Sequence, residues 1–566
     1  MRRVFTHNKW LITIIVAIIA LNYVASLIHQ RIDLTNEKRF TISKPVKEIL
    51  KSLDEKVEVI IFLKGDIPAG FKKLSTSAQE LLQEFNEYSG GKIHYKLLSA
   101  DEKMPGSERL YADTLSSLGL IPINLKTQLK AGEQSQYIFP AALVLYQNKM
   151  IAVNLYSGTQ TIITPPELNS SEAMLEYQFA NALDKIIHPH KPMIGYATGN
   201  GEPMGMNTYD LVENVLRKNY SLYTVNLLNE PVVPDTFKLL LIVKPTLQFT
   251  EAEKLKIDQY VMRGGKLLFF IDRLEAETDS LQIKNEVVAY DRNLNLEDLF
   301  FRYGVRINPD LIMDLQCDYL PFSVNGKEQF NFLHWNYFPL FESPQNSVIN
   351  KNLGLVAGKF VNSIDTLPLP NIKKTILLSS SNNSRTISTP ALISSAENRN
   401  APEDELFQKK GIAAGVLLEG KFTSLFKNRG SQAIIDSLAA YGTPFKEENT
   451  TDNKMIIVSD GDIVLNGVFQ NAPLPMGVNP YTINTQYEYQ FANRQFLENC
   501  IEYLINNSGL SEAKAKDYTL QLLDSKKTEQ ERTFWQMLNL LLPIVLVILS
   551  GFIYQYWRKR KYRFHK

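Results

Sequence analysis

Four stretches of this chain carry residue types that could do chemistry. Gly199-Asn200-Gly201-Glu202 puts two glycines, an amide and a carboxylate in one turn, and Asp272 closes the apolar run Lys266–Ile271. Asp460 and Asp462 alternate in Ser459-Asp460-Gly461-Asp462, and Gly415 to Lys421 matches the phosphate-loop spacing G-x-x-x-x-G-K. Backbone amides after a strand and before a helix can cradle an anion. Carboxylates converging on a turn can hold a hard cation. Each stretch also has a plainer reading. Gly199 to Gly205 has one residue too many for G-x-G-x-x-G, and Phe422 stands where a phosphate loop needs a magnesium-binding hydroxyl. Two acids alternating in a turn are ordinarily solvated. The candidate ligand-binding residues are therefore Gly199, Asn200, Gly201, Glu202, Asp272 and Asp460, with no catalytic residue, metal or cofactor expected. His188 and His190 lie between prolines without a carboxylate at ligand spacing, so they read as a linker. Cys317 and Cys500 read as buried free thiols, and neither sits at a strand–helix elbow.

The elements that must position these residues follow from periodicity. Lys44–Leu53 reads as a helix capped by Ser43, Val57–Leu63 as a buried strand, Phe71–Tyr88 as a helix and Ile93–Leu98 as a strand, together a βαβ unit. Tyr137–Tyr146 and Met150–Tyr156 read as a hairpin, and Glu167–Ile187 as a helix. His188–Pro192 marks a domain boundary. A second α/β pattern opens there, with strands at Pro192–Thr198, Leu239–Val243 and Lys266–Ile271. A helix is marked by Tyr209, Val212, Val215 and Leu216, and another by the Thr250/Glu253 capping box. Ligands in open α/β sheets gather at the carboxyl ends of strands, which is where the 199–202 turn and Asp272 fall. Farther on, a helix closes at Gly304, Phe322–Phe341 reads as irregular aromatic core, and Ser379–Ser384 as an exposed loop. Gly415–Phe426 reads as strand, turn and strand, Lys427–Asn453 as a polar loop, Met455–Val464 as a strand with its turn, and Asn493–Ile505 as an amphipathic helix.

Both ends of the chain are apolar enough to cross a bilayer, for which roughly 20 residues suffice. Trp10–Ile28 follows Arg2, Arg3 and Lys9; Trp535–Trp557 precedes Arg558 to Lys561. Basic residues outboard of both spans place both termini in the cytoplasm and residues 31–532 outside it. In the second span, Asn539, Pro543, Ser550 and Gly551 are the residues best able to pack against partner helices. Lys+Arg 61 against Asp+Glu 60 gives a net charge of +1, so no overall field attracts nucleic acid. The fold class expected is α/β, with one transmembrane helix at each end and at least two α/β domains between them.

DLTNEKRFTIS after the first span, TGNGE at 198–202, RGGKLLFFID at 263–272, NLEDLFFRYGVRI, LLEGKFTSLF, VSDGDIVLN and WQMLNLLLP are spread along most of the chain. In these stretches it resembles the gliding-motility-associated ABC transporter component GldG family of Bacteroidetes. The resemblance implies a non-enzymatic auxiliary subunit of the bacterial inner membrane with a periplasmic bulk, partnering a permease and a separate cytoplasmic ATPase. It also implies that the second domain is similar to class I glutamine-amidotransferase-like folds, whose enzymes need a Cys–His pair at the elbow that here holds Gly199–Glu202. The organisation expected is a cytoplasmic 1–9, a span at 10–28, an N-terminal domain at 31–187, and an auxiliary-like domain at 192–510 with an insertion near 305–450. A juxtamembrane segment at 511–534, a span at 535–557 and a basic tail at 558–566 complete it. The alternative is a membrane-anchored envelope hydrolase or glycan-processing enzyme, which acids crowded on the 199–202 turn would favour.

Overall fold

The computed structural model describes residues 16–20, 22, 41–118, 120, 122–129, 132–156, 165–189, 191–277, 286–323, 330–344, 347–351, 353–394, 404–429, 436, 438–506, 509–510, 513 and 525–562. Most of the Trp10–Ile28 span, His190, and most of the 511–524 juxtamembrane stretch lie outside them. The chain divides into two units, Met1–Asp517 and Tyr518–Lys566.

In the first unit, α1 (Lys44–Lys51), β1 (Val57–Ile61), α2 (Ala69–Tyr88) and β2 (Ile93–Leu97) form the expected βαβ unit, with β1 and β2 parallel. A hairpin of β3 (Ala141–Tyr146) and β4 (Lys149–Asn154) adds antiparallel to β1, so the sheet runs β2-β1-β3-β4. Tyr137 is not part of that hairpin. It pairs with Asn124 in a separate two-stranded ribbon, Ile123–Leu129 with Gly132–Ile138. Helix α3 (Pro165–Ile187) packs Leu175, Phe179, Leu183 and Ile186 into the same core as α1 and α2. Ser43 sits at the N-cap of α1 without a capping bond from its hydroxyl; its amide instead donates to Glu176 Oε1 at 2.8 Å. Leu510 and Ala513, beyond the second domain's last helix, are buried in this same N-terminal core beside Ile42 and Val46.

The second domain is built on a seven-stranded sheet. In chain order its strands are β5 (Met193–Thr198), β6 (Ser221–Asn226), β7 (Leu239–Val243), β8 (Lys266–Phe270), β9 (Ile372–Ser379), β10 (Ala413–Gly420) and β11 (Asn453–Val458). In space they run β9-β10-β11-β8-β7-β5-β6. The five from β11 to β6 are parallel, while β10 and β9 add antiparallel at one edge. Taken in order of appearance, the parallel strands are arranged 2-1-3-4-5, a doubly wound sheet whose winding reverses between β5 and β7. Two of the strands, β9 and β10, come from the 305–450 segment that the sequence suggests is an insertion.

Alternation assigns the two faces. Leu240, Ile242, Leu267, Phe269, Met455 and Ile457 face one core with α5 (Glu251–Met262). Leu239, Leu241, Val243, Leu268, Phe270 and Ile456 face the other, with α4 (Asp210–Arg217) and α6 (Asn493–Ile505). Helix α4 is a π-helix, and Tyr209, expected on its apolar face, is exposed because Asp210 rather than Tyr209 turns inward. The capping box of α5 forms as expected, with Thr250 accepting from the Glu253 amide.

Three further expectations change. Among the described residues of 322–341, Phe330–Phe341 is one long strand paired across a bulge with Cys317–Ser323, and its Trp335, Tyr337 and Phe338 pack ring on ring with Phe360, in the core as read. Its burial does not alternate strictly, so the strand left no period-two signature in the sequence. Ser379–Ser384 is exposed at Asn382 and Asn383 but not throughout: Ser380, Ser381 and Ser384 are buried, the Asp314 carboxylate accepting from the amide and hydroxyl of Ser381 and the Ser380 and Ser384 hydroxyls bonding to each other. After Gly420 no second strand forms; Phe422 enters the core against Tyr303 instead.

That turn is held by Asp258 of α5, which is fully buried. It accepts from Ser424 Oγ at 2.6 Å, the Leu425 amide at 2.9 Å, Tyr303 Oη at 3.0 Å and Gln259 Nε2 at 3.1 Å. Burial pushes its carboxyl up against the pull of those donors. Asp258→Ala strands them in the core, and is expected to lower the unfolding free energy by roughly 3 kcal/mol or more, read by denaturant titration.

In the second unit, α7 (Ser525–Tyr562) is one continuous helix, and the most apolar 18-residue window within Glu531–Arg560 has a mean hydropathy of 2.3. At about 100° per residue, Asn539, Pro543 and Ser550 share one face and Gly551 lies about a third of a turn away. Ser550 Oγ donates to the Val547 carbonyl at 2.8 Å.

A charged cluster at the carboxyl ends of the parallel strands

The turn after β5 is shaped by its glycines. Gly199 and Gly201 have φ of +115° and +79°, and a Cβ on Gly201 would come within 2.0 Å of Thr246 Oγ1. This close approach lets the Thr246 and Leu247 amides donate to the Asn200 carbonyl at 2.9 and 2.8 Å. The loops after β5 and β7 are thus stitched across the point where the winding reverses. The anion cradle read from the sequence is filled from within. The Asn200 amide donates to Glu202 Oε2 at 2.8 Å, and the amides of Asn200 and Glu202 favour the ionised carboxyl. Burial nonetheless outweighs them and pushes Glu202 up. Asn200 Oδ1 and Glu202 Oε1 are buried without a hydrogen-bond partner among the described residues.

The ends of β7, β8 and β11 converge on a second feature. Lys244 directly follows β7, Asp272 lies two residues beyond β8, and Asp460 and Asp462 lie in the turn after β11. Gly461 admits this approach, since a Cβ there would sit 2.5 Å from Lys244 Cβ. One carboxylate oxygen each from Asp272, Asp460 and Asp462 lies within 4.8 Å of the others. Such a triad has the spacing of a cation site, and the Lys244 ammonium provides the cation. Its Nζ is 2.8 and 2.9 Å from the two Asp462 oxygens and 3.2 Å from both Asp272 Oδ2 and Glu277 Oε2. Glu277 also pairs with Arg292 at 2.8 Å. The expectation that acids in this turn are solvated therefore fails for Asp460, which is wholly buried, while Asp462 is partly buried, its side chain 16% exposed.

The electrostatics follow. Burial opposes charge on Lys244, but Asp462, Asp272 and Glu277 overcome it and hold the ammonium's pKa well above its usual value. Burial likewise opposes charge on Asp462, and Lys244 and Lys359 overcome it, holding that carboxyl below the usual range. Asp460 has no such cation. Burial, with Asp272 and Asp462 beside it, pushes it well up. Its two oxygens accept from the Lys359 amide at 2.8 Å and the Asp462 amide at 2.7 Å. Asp460 is thus a positioning residue that sets two charged side chains on the wall of an open cleft of 680 Å³. Gly201, Lys244, Glu277, Lys359 and Asp462 all line that cleft.

Of the candidates read from the sequence, Asp272 and Asp460 belong to one cluster, and Gly201 reaches the same cleft. Asn200 and Glu202 turn into the protein beneath it. Lys244 was legible in principle, as the first polar residue after the wholly apolar strand LLLIV. Glu277 and Lys359 carried no sequence signal. The phosphate-loop spacing falls on β10, whose backbone is committed to both neighbouring strands. His188 Nδ1 is 3.0 Å from Asp184 Oδ1, and Cys317 and Cys500 are free and buried.

Lys244→Ala leaves the carboxylates facing one another, and is expected to destabilise by roughly 3–5 kcal/mol. The vacated position should then take calcium. Millimolar calcium should raise the melting temperature of the variant and leave the parent protein unchanged. The pH dependence has a definite sign. An unfolded aspartate ionises near about 3.9, whereas folded Asp460 holds its proton to far higher pH. Between those values the folded state binds more protons, so this group's contribution to stability falls as pH rises. Asp462 acts oppositely, but only below about pH 4. From about pH 5 to 7 the decline in melting temperature should be shallower in Asp460→Asn than in the parent.

Comparison with known proteins gives a match of residues 191–500 to the family model described as "ABC-type uncharacterized transport system", and of residues 36–145 to a domain of unknown function. A relative from Borreliella burgdorferi, described as an uncharacterized protein, is 22% identical over 482 residues, covering 82% of this chain and 84% of the relative. Among solved structures, the mmIFT52 N-terminal domain overlaps 55% of this chain and 96% of its own at 14% identity, with a TM-score of 0.30.

Proposed function

We propose, for a chain that belongs to the ABC-type uncharacterized transport system family, that it is a non-enzymatic auxiliary subunit working with a permease and a separate cytoplasmic ATPase. Family membership makes it a transport-associated auxiliary protein that associates with an ABC transporter complex, and α7 is long and apolar enough to cross a membrane. The observation that carries the finer reading is the filling of both ionic positions at the strand ends by the chain's own side chains, Glu202 and Lys244. A site whose charges are spent on each other holds a ligand or a partner; it does not offer a free nucleophile or base. The second domain reads as similar to class I glutamine-amidotransferase-like folds. Its 2-1-3-4-5 parallel order and its strand–turn–helix elbow support that reading, while the elbow carries Gly199–Glu202 and no cysteine. Acids do crowd near this turn, but Lys244 binds them, so the envelope-hydrolase reading gains nothing.

In this reading both ends of the chain span the inner membrane, residues 31–532 lie in the periplasm, and the complex serves surface gliding. The basic residues outboard of each apolar run support the orientation. Asn539, Pro543 and Ser550 on one face of α7 support a helix–helix contact with the permease, since polar and small residues drive association in lipid. Replacing Leu538–Tyr556 by a poly-Leu/Ala span should preserve insertion and the melting temperature while losing the copurified permease. Capture of the permease at the parent level would reduce α7 to an anchor. A cysteine placed at the exposed Asn382 should react with an impermeant thiol reagent in intact spheroplasts, whereas one at Lys566 should react only after lysis. The native cysteines are buried and need no removal.

A further inference from the structure

The cleft at the strand ends has an electrostatic remainder. Every carboxylate on its wall is engaged: both Asp462 oxygens by Lys244, and the two Glu277 oxygens by Lys244 and Arg292. Thr246 Oγ1 donates to the Gly201 carbonyl. What is left over is donors. The Lys359 ammonium makes no direct ion pair or hydrogen bond among the described residues: it acts on Asp462 and Asp318 only at longer range and lies over the Phe338 ring, 5.7 Å away. The Asn207 side-chain amide, also on the cleft, is exposed and without a hydrogen-bond partner among them.

Lys359 is also held in place. Its amide is fixed by buried Asp460, and the amides on either side, of Gly358 and Phe360, donate to the Pro339 and Tyr337 carbonyls. Gly358 has no room for a side chain, since a Cβ would fall 2.6 to 2.8 Å from Val361, Phe341 and Asp460. The backbone that carries this cation is thereby fixed, so only the lysine side chain itself is ordered on meeting an anion. The adjoining wall is apolar and partly exposed: Leu465, Val468, Phe469 and Pro480. The 680 Å³ volume is that of a small-molecule site, in which an apolar lining with a few placed polar groups sets orientation.

We propose that this cleft binds a small organic anion, a carboxylate or phosphate head on an apolar body, with the head at Lys359 and Asn207 and the body against Leu465, Val468 and Phe469. The inference rests on reading the cleft as the ligand site of the auxiliary subunit. The full-length protein in an uncharged detergent is titrated calorimetrically with phenyl phosphate and with phenylacetate. The controls are 2-phenylethanol, which lacks the charge, and inorganic phosphate, which lacks the body. At least one anionic aromatic probe should bind at least tenfold more tightly than either control, and the tighter of the two identifies the head group. Lys359→Gln should weaken that probe about tenfold, the worth of one charge-assisted hydrogen bond, and Lys359→Arg should retain it. Val468→Trp, which fills the cleft without touching the cation, should abolish binding at an unchanged melting temperature. The proposal is overturned if the uncharged control binds as tightly as the anions, or if Lys359→Gln or Val468→Trp binds as the parent does. Permease capture is scored on the same preparations. Failed probe binding with capture intact counts against the ligand class alone, and lost capture with probe binding intact counts against the transporter reading alone.

Discussion

A single ammonium group, that of Lys244, holds together the carboxyl ends of the central sheet. Strands β7, β8 and β11 end side by side, and the residues that follow them bring three aspartates and a glutamate to one spot. Without a cation there, the carboxylates would repel across a few ångströms of low-dielectric interior, and the turns would separate or take up protons. With it, the turn after β11 closes to within contact of Lys244, which is why residue 461 is glycine. Such a buried network is weak evidence for stability, because desolvation cancels much of the attraction. Its effect is geometric: it sets where the strand-end loops lie relative to one another.

The same economy runs through the rest of the site. Glu202 sits where an anionic ligand would meet the amides of the first strand-end turn, and the loops on either side of the winding reversal are bonded together through the Asn200 carbonyl. The crevice that a doubly wound sheet usually leaves at this point is thereby bridged through Asn200, and Gly201 and Thr246 line an open cleft together with Lys359 and the 465–469 segment. The polar groups at these strand ends are largely turned on each other, and the accessible cleft is lined by Lys359 and by the partly exposed Leu465, Val468 and Phe469. That suits recognition, in keeping with an auxiliary subunit of a transporter.

The N-terminal and seven-stranded sheets of the large unit are tied to each other at more than residues 188–192. Leu510 and Ala513, past α6, are buried in the same core cluster as Ile42 and Val46, and a Cβ on Gly509 would lie 3.1 Å from Pro45. Entry to and exit from the large unit therefore share one hydrophobic core.

By itself the sequence determined the elements and their faces. The continuous apolar runs in Leu239–Val243 and Lys266–Ile271, the Thr250/Glu253 box and the long apolar stretch near the C-terminus all depend on neighbours within a few residues, and each reappears as read. The strand-end rule located Asp272 and the 199–202 turn for the same reason. Only the tertiary structure decided what those residues do. Asp460 and Asp462 look like solvated turn acids until Lys244, more than two hundred positions earlier, is seen to bind Asp462 and the Lys359 amide to bind Asp460, and Ser381 looks exposed until Asp314 is seen to bind it. Burial of a polar group is licensed by its partner, and a partner that arrives from a distant strand leaves no mark on local pattern. Sheet order follows the same logic: nothing local in β9 and β10 shows that they close the edge of a sheet begun at Met193. Pairing across the chain is set by which faces remain to be covered once the parallel strands have assembled.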